Sequence, residues 1–203
     1  MLIDGPARCI SKEACLEEIK VFDPDFIVID TSTASINSDL AYTKTIKEVL
    51  PNVKTCLVGT HVSATVKEIL PKCANYVDFI ARHEYDYTLP EIAQVIEGKM
   101  SLADVKGVSY CENGELKETP NREYIRNLDE LPFVSEVYKK YLNYKDYFYA
   151  HVNFPTISIF SSRGCPSKCF YCMYSQVMFG KGYRKRSAKN LFDEVVYITK
   201  NFP

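Results

Sequence analysis

The sequence predicts an α/β protein: a doubly wound parallel sheet, followed by the first strand–helix unit of a second architecture. Three observations predict it. Short apolar runs alternate with stretches of helical spacing through the first 100 residues. A hairpin signal and a tyrosine-rich connector follow. The last 48 residues, 156–203, open on a strand-like run that leads into three closely spaced cysteines.

Leu2-Ile3 reads as the end of a strand, and Ser11 is placed to cap a helix over 12–21. Pro24 breaks that helix. Phe26-Ile27-Val28-Ile29-Asp30 is short and almost wholly apolar, as a buried parallel strand should be. Ile36, Leu40, Ala41, Val49 and Leu50 then give helical spacing up to Pro51. A strand at 54–58, a helix near 63–70, a strand at 77–81 and a helix near 88–97 continue the alternation. Strands alternating with helices imply parallel pairing with helices on both faces. Ligands of such sheets bind at the C-terminal strand ends. Those ends are Thr31-Ser32-Thr33, Gly59-Thr60-His61 and Arg82-His83-Glu84.

After Gly98 the pattern changes. Residues 105–112 and 115–119 flank Asn113-Gly114, a tight hairpin turn. Residues 120–155 hold Pro120, Pro132 and Pro155 together with Tyr138, Tyr141, Tyr144, Tyr147 and Tyr149, and read as a connector. The tyrosines either line a groove or pack the connector down. Residues 156–161 alternate like a strand, and Ser187 is an N-cap for a helix over 188–200. The expected organisation is therefore 1–100, 101–155 and 156–203. One strand–helix unit cannot bury its own core. The final segment is thus expected to be the start of a truncated domain, and the chain a fragment.

Composition is that of an ordinary globular protein, 46% hydrophobic and 25% charged. The net charge of −1 is unevenly spread. Residues 156–203 carry eight Lys/Arg against two Asp/Glu, and the first 155 carry 17 against 24. The basic strip is either a surface for an anionic ligand or a solvated face. Nothing marks a nucleic-acid-binding protein. No signal peptide and no apolar run of the ~18 residues needed for a span is evident, so a reducing cytoplasm is expected. There clustered cysteines bind metal more often than they pair. Cys9, Cys15, Cys56, Cys73 and Cys111 are scattered and read as small buried hydrophobes.

Cys165, Cys169 and Cys172 are different. They stand in Ser162-Arg163-Gly164-Cys165-Pro166-Ser167-Lys168-Cys169-Phe170-Tyr171-Cys172, a C-x3-C-x2-C spacing. Three thiolates can hold three corners of a four-iron cluster and leave one iron open for chemistry, whereas electron carriers use four cysteines. Thiolate donors suit iron–sulfur clusters. A zinc site is the other metal reading, but zinc normally takes four ligands, and the nearest extra candidate, His151, lies 14 residues upstream.

This loop, with Tyr171 before its last cysteine, resembles that of the radical S-adenosylmethionine superfamily. The resemblance implies a [4Fe–4S] cluster on Cys165, Cys169 and Cys172, S-adenosylmethionine on the open iron, and Tyr171 against the adenine. It extends along the chain to the group with an N-terminal cobalamin-binding domain of Rossmann- or flavodoxin-like type. Val58-Gly59-Thr60-His61 is similar to that group's Gly-Gly-Pro-His turn, and Arg82-His83-Glu84 to its Arg-Gly-Glu turn. Asn127-Leu128-Asp129-Glu130-Leu131-Pro132-Phe133 resembles its inter-domain segment. Gly182-Tyr183-Arg184-Lys185-Arg186-Ser187, with Asp193-Glu194, resembles the stretch after the cysteines. Leu2 to Arg8 and Glu84 to Thr88 look most like the hopanoid-biosynthesis branch.

What the resemblance implies is a radical S-adenosylmethionine enzyme in which a 5′-deoxyadenosyl radical takes a hydrogen from a small-molecule or lipid-like substrate. Methyl transfer from methylcobalamin, rearrangement or cyclisation follows, and a flavodoxin or ferredoxin supplies the electron. The cobalamin contacts implied are Thr31, Ser32, Thr33, Gly59, Thr60, His61 and Glu84. The sequence lacks Asp-x-His-x-x-Gly, so no histidine of that motif ligates cobalt from below. Gly59 is followed by Thr60 rather than a second glycine, and Arg82-His83 replaces the usual Arg-Gly before Glu84; both add bulk near the implied cobalamin site. Two other readings stay open: the same radical chemistry without cobalamin, and a non-catalytic iron–sulfur or zinc module. The 203-residue chain alone is expected to be inactive.

Overall fold

The computed structural model describes residues 1–167 and 169–202; Lys168, inside the cysteine loop, and Pro203 lie outside the described residues. The chain divides into two compact units. One comprises residues 23–125 and 164–182. The other comprises 1–22, 126–163 and 183–203.

The first unit is built on a five-stranded sheet of β1 (Phe26–Asp30), β2 (Lys54–Val58), β3 (Phe79–Ala81), β4 (Val108–Glu112) and β5 (Glu115–Glu118), in that spatial order. β1, β2 and β3 are parallel, with Phe26 opposite Lys54 and Cys56 opposite Phe79. Successive side chains of a strand face opposite ways, so β2 and β3 feed two cores. Leu57 and Ile80 pack with Ile36 of α2 (Ile36–Val49), Val62 of α3 (Thr60–Ala64) and Val66, Leu70 and Cys73 of α4 (Val66–Cys73). Cys56, Val58, Phe79 and Ala81 pack on the other face with Ile92 of α5 (Thr88–Ile96), Val105 and Val108. The doubly wound layout expected from the alternation is present.

The hairpin forms around Asn113 and Gly114, both at positive φ (52° and 81°), as a two-residue turn of this composition demands. It is not part of a separate connector. β4 joins the sheet antiparallel to β3, with Ala81 opposite Val108. A buried arginine fastens it: the Arg82 guanidinium donates to Val108 O at 3.2 Å, to Ser109 Oγ at 2.5 Å and to Thr119 O. Burial pulls the Arg82 pKa down, against the opposing pull of Glu118.

The second unit contains α1 (Lys12–Phe22), α6 (Val134–Tyr141), α7 (Ala188–Asn201) and a ribbon of β6 (Ser162–Arg163) with β7 (Arg184–Lys185). Ser11 and Ser187 cap α1 and α7 by accepting from Ala14 N and Asn190 N. Two expected strands do not form. Leu2-Ile3 lies outside any strand, and residues 156–161 form none; the short strand of this region is Ser162–Arg163, just beyond them. A strand needs a ladder partner for its N–H and C=O groups, and the pairing stops at Ser161, whose carbonyl accepts from Arg186 N at 2.9 Å; residues 156–161 join no sheet among the described residues. The tyrosines mainly pack the connector. Tyr138 is buried edge-on against Tyr147, whose hydroxyl donates to Asp4 Oδ2 at 2.9 Å. Among the described residues no helix is long and apolar enough to cross a membrane.

Within this unit the segments at 127–133 and 183–194 meet. Glu194 is fully buried; its Oε1 accepts from Ser135 N and Oγ at 3.1 and 3.0 Å, and its Oε2 pairs with Arg186. Phe133 lies against the Arg186 guanidinium, and Asp129 accepts from Ser187 N at 2.8 Å.

Two predictions follow from the sheet. Gly59 has φ 113° and ψ 175°, a region that essentially only glycine reaches, and a Cβ there would lie 2.2 Å from Thr31 O. Gly59→Ala is expected to destabilise the protein by roughly 2–5 kcal/mol in denaturant titration. Asp78 takes hydrogen bonds from Lys47 and Lys54 at 2.8 and 3.0 Å and from Thr55 N at 3.0 Å. Burial would raise its pKa, but these donors outweigh burial and hold it below the ordinary carboxylate value. A carboxylate lowered in the folded state adds stability above its unfolded pKa, and that stability is lost as pH falls through the folded pKa. Asp78→Asn should therefore cost roughly 1–3 kcal/mol at neutral pH and flatten the acid limb of the stability–pH curve below about pH 4.

Candidate functional site

The C-terminal ends of β1, β2 and β3 form one edge of the first unit. At the end of β1, Thr31 N and Thr31 Oγ1 both donate to Val58 O of β2, at 2.9 and 2.7 Å. This closes the two strand ends together, and only a residue without Cβ, Gly59, fits beside them. Ser32 and Thr33 are exposed beyond. Ser32 Oγ pairs with Ser35 Oγ at 2.9 Å, and Thr33 Oγ1 lies 3.1 Å from His61 Nδ1. Thr60 and His61 open α3 and are half-buried. Burial of Asp30 pushes its pKa up, and the Asp39 carboxylate adds to the effect.

The turn after β3 is committed differently. Glu84 is buried, and its carboxylate accepts from Ile125 N at 2.9 Å. His83 sits at φ 60°. Its backbone N–H donates to Ser63 Oγ at 3.1 Å, and its ring Nδ1 donates to Val177 O.

The cysteine loop belongs to this same unit, since residues 164–182 cluster with the sheet. That placement was not expected from the sequence, which grouped the loop with residues 156–203. Gly164, at φ 82°, passes so close to Gly182 that a Cβ would lie 2.0 Å from its carbonyl. Beyond the cysteines, Tyr174–Met178 forms a π-helical turn that packs against α3. Gln176 reaches back from this turn, donating to Cys169 O at 3.2 Å and Phe170 O at 2.6 Å. Cys165 and Cys169 are exposed and Cys172 is half-buried. Backbone N–H groups of Ser175, then Tyr174, hold the Cys172 pKa below that of an ordinary thiol. Phe170 and Tyr171 project into solvent, 90% and 78% exposed, so Tyr171 is open to a planar ligand.

Of the scattered thiols, Cys15, Cys56 and Cys73 are buried as expected, Cys111 is half-buried and Cys9 is exposed. Burial pushes Cys56 up to about 12 and Cys73 up to about 11. Among the described residues no three His, Cys, Asp or Glu side chains stand close enough to hold a metal between them. The donor chemistry of the loop nonetheless fits a cluster: three thiols without competing carboxylates, one with a pKa below that of an ordinary thiol. The strand ends fit a corrin met by hydroxyls, Ser32 and Thr33, with His61 Nδ1 tied to Thr33. Sequence reasoning missed Ser63, Gln176 and the anchoring by His83. Its one signal was a histidine in a turn that favours glycine.

Residues 3–93 match the B12 binding domain. Along 96% of its length the chain is 30% identical to an uncharacterized methyltransferase of Pyrococcus horikoshii, of which it spans 41%. It is 27% identical to an anaerobic magnesium-protoporphyrin IX monomethyl ester cyclase of Cereibacter sphaeroides, covering 95% of the chain and 31% of the relative. Its fold matches OxsB, a cobalamin-dependent S-adenosylmethionine radical enzyme solved with aqua-cobalamin and S-adenosylmethionine, at a TM-score of 0.71 and 17% identity, over 95% of this chain and 26% of that one. The chain thus spans less than half the length of these relatives. Residues 3–93 are therefore similar to a B12 binding domain, and the chain shares its fold with a cobalamin-dependent S-adenosylmethionine radical enzyme.

Proposed function

We propose that this chain is the cofactor-holding portion of a cobalamin-type radical S-adenosylmethionine enzyme acting on a small-molecule or lipid-like substrate, with a flavodoxin- or ferredoxin-type reductant. The observation that carries the reading is the cysteine loop's membership of the same compact unit as the strand ends of the sheet. Cys165, Cys169 and Cys172 would hold a [4Fe–4S] cluster, Tyr171 would lie against S-adenosylmethionine, and Ser32, Thr33, Gly59, Thr60 and His61 would meet cobalamin. When bound, these groups supply reductive cleavage of S-adenosylmethionine to a hydrogen-abstracting 5′-deoxyadenosyl radical and, in the methyl-transfer branch, a methyl donor.

The residues of the chain have distinct tasks in this reading. Thr31 and Glu84 are buried and bonded within the protein, so they hold the edge in shape. Ser32 and Thr33 are exposed and would offer hydroxyls to a bound corrin, in a chain whose sequence lacks Asp-x-His-x-x-Gly. Gln176 fixes two carbonyls of the loop, which orients Cys169 before any metal arrives. Donors at Cys172 favour the thiolate that iron requires.

Anaerobic reconstitution of the chain with iron, sulfide and hydroxocobalamin is the test. Bound corrin absorbance and about four irons per chain are expected. Cys169→Ala should lose most of the iron and keep the corrin. Iron without corrin would leave the radical reading without cobalamin, and zinc uptake in place of iron would leave a structural metal module. The methyl-transfer branch is checked separately: after the bound corrin is reduced to cob(I)alamin, appearance of methylcobalamin absorbance on adding S-adenosylmethionine would support it.

A further inference from the structure

Three consecutive residues after β3 each hold a different segment of the first unit. Arg82 grips the β4–β5 hairpin, and Glu84 accepts from Ile125 N. Between them, His83 reaches from the sheet edge to the far side of the cysteine loop. Its ring Nδ1 meets Val177 O, 94 residues further along the chain, while its backbone N–H meets Ser63 Oγ in α3. A carbonyl only accepts, so Nδ1 carries the proton in this bond. His83 does this at φ 60°, a backbone region where a side chain is uncommon and glycine or asparagine is favoured. Such a conformation persists only where surrounding contacts over-determine it, and it clusters at functional sites.

We propose that His83 is a positioning residue. Its ring pins the π-helical turn Tyr174–Met178 against α3 and so fixes where the three thiols stand relative to the C-terminal edge of the sheet. The coupling runs through two further bonds. Val177 lies beside Gln176, whose side chain holds Cys169 O and Phe170 O, and the N-terminal amides of the same turn face Cys172. Displacing the turn therefore displaces both the loop backbone and the donors at Cys172. The consequence for the thiols rests on the cluster reading above; the pinning itself does not.

Asparagine and aspartate separate the role of the donor from that of the backbone. Asn Nδ2 falls at the position of His Nδ1 and asparagine tolerates positive φ, so His83→Asn should keep the bond. His83→Asp has the same shape and backbone tolerance but presents a carboxylate to a carbonyl, and His83→Gly relieves the backbone while removing the ring. Amide hydrogen exchange on the metal-free full chain should show protection at 172–179 falling about tenfold or more in the Gly and Asp variants, with exchange in β2 and β3 unchanged. The Asn variant should match the unsubstituted chain. On iron-loaded protein, the reduced-cluster EPR signal should shift or broaden in the Gly and Asp variants and not in Asn. Equal protection in all four proteins, or an Asn variant as loose as Gly, would overturn the proposal. Failure of the unsubstituted chain to take up iron would instead remove the cluster reading and leave the exchange result standing.

Discussion

The closure of β1 onto β2 at their C-terminal ends is the constraint on which the site depends. Val58 O receives two donors from one residue, the amide and the hydroxyl of Thr31. Gly59 then turns away through a conformation closed to other residues, with no room for a Cβ beside Thr31 O. These contacts cost no side-chain volume, so the chain can leave both strands at the same level. The exposed hydroxyls of Ser32 and Thr33 and the half-buried His61 are gathered because the backbone has nowhere else to go. An additional methyl group at Gly59 would part the strand ends and scatter the residues behind them.

How much of this was legible in the sequence depends on the range of the forces involved. Local signals were read correctly: Ser11 and Ser187 as caps, Asn113-Gly114 as a hairpin turn, and Phe26 to Asp30 and Lys54 to Val58 as parallel strands, although only the second is buried and the first lies at the sheet edge with Val28 exposed. These rest on spacing and backbone preference within a few residues. Partnership across the chain was not legible. Nothing in residues 108–118 says that they extend a parallel sheet by antiparallel pairing. The cause is a buried guanidinium, Arg82, whose partners lie 26 to 37 residues away. Residues 156–161 alternate as a strand should, yet alternation is a statement about faces and not about partners. The cysteine motif itself was plain; its membership of the sheet-bearing unit was not, because that depends on α3 and the turn after β3.

The second unit makes the same point with charge. Glu194 and Arg186 are both buried, and a buried ion pair is tolerated only when its remaining donors and acceptors are satisfied. Ser135 supplies two donors to the carboxylate, and Asn190 Oδ1 and Phe160 O accept from the guanidinium. The segments at 127–133 and 182–194 were recognisable separately by resemblance. Their contact gives a physical reason for the residue types: Arg186 and Glu194 neutralise each other, Phe133 covers the guanidinium, and Asp129 takes the first free amide of α7. The basic strip is thus not one surface. Arg186 is 6% exposed and spent internally, while Lys189 pairs with Asp193 in solvent.

The eight cysteines sort by what surrounds each sulfur. Apolar burial penalises the thiolate, so Cys56 and Cys73, pushed up to about 12 and about 11, are inert packing groups at neutral pH. Cys15 is raised by the same cause. At Cys172 the environment reverses the sign, because backbone amides of the π-helical turn point at the sulfur. Residue identity is the same at all these positions; what differs is whether burial or the local backbone donors dominate around the sulfur. Metal ligation needs the deprotonated sulfur, so the site is selected by the turn that follows the motif as much as by the motif. A C-x3-C-x2-C spacing gathers three sulfurs in one short loop, whereas the amides of Ser175 and Tyr174, in the turn held through Gln176 and Val177, are what lower the Cys172 pKa.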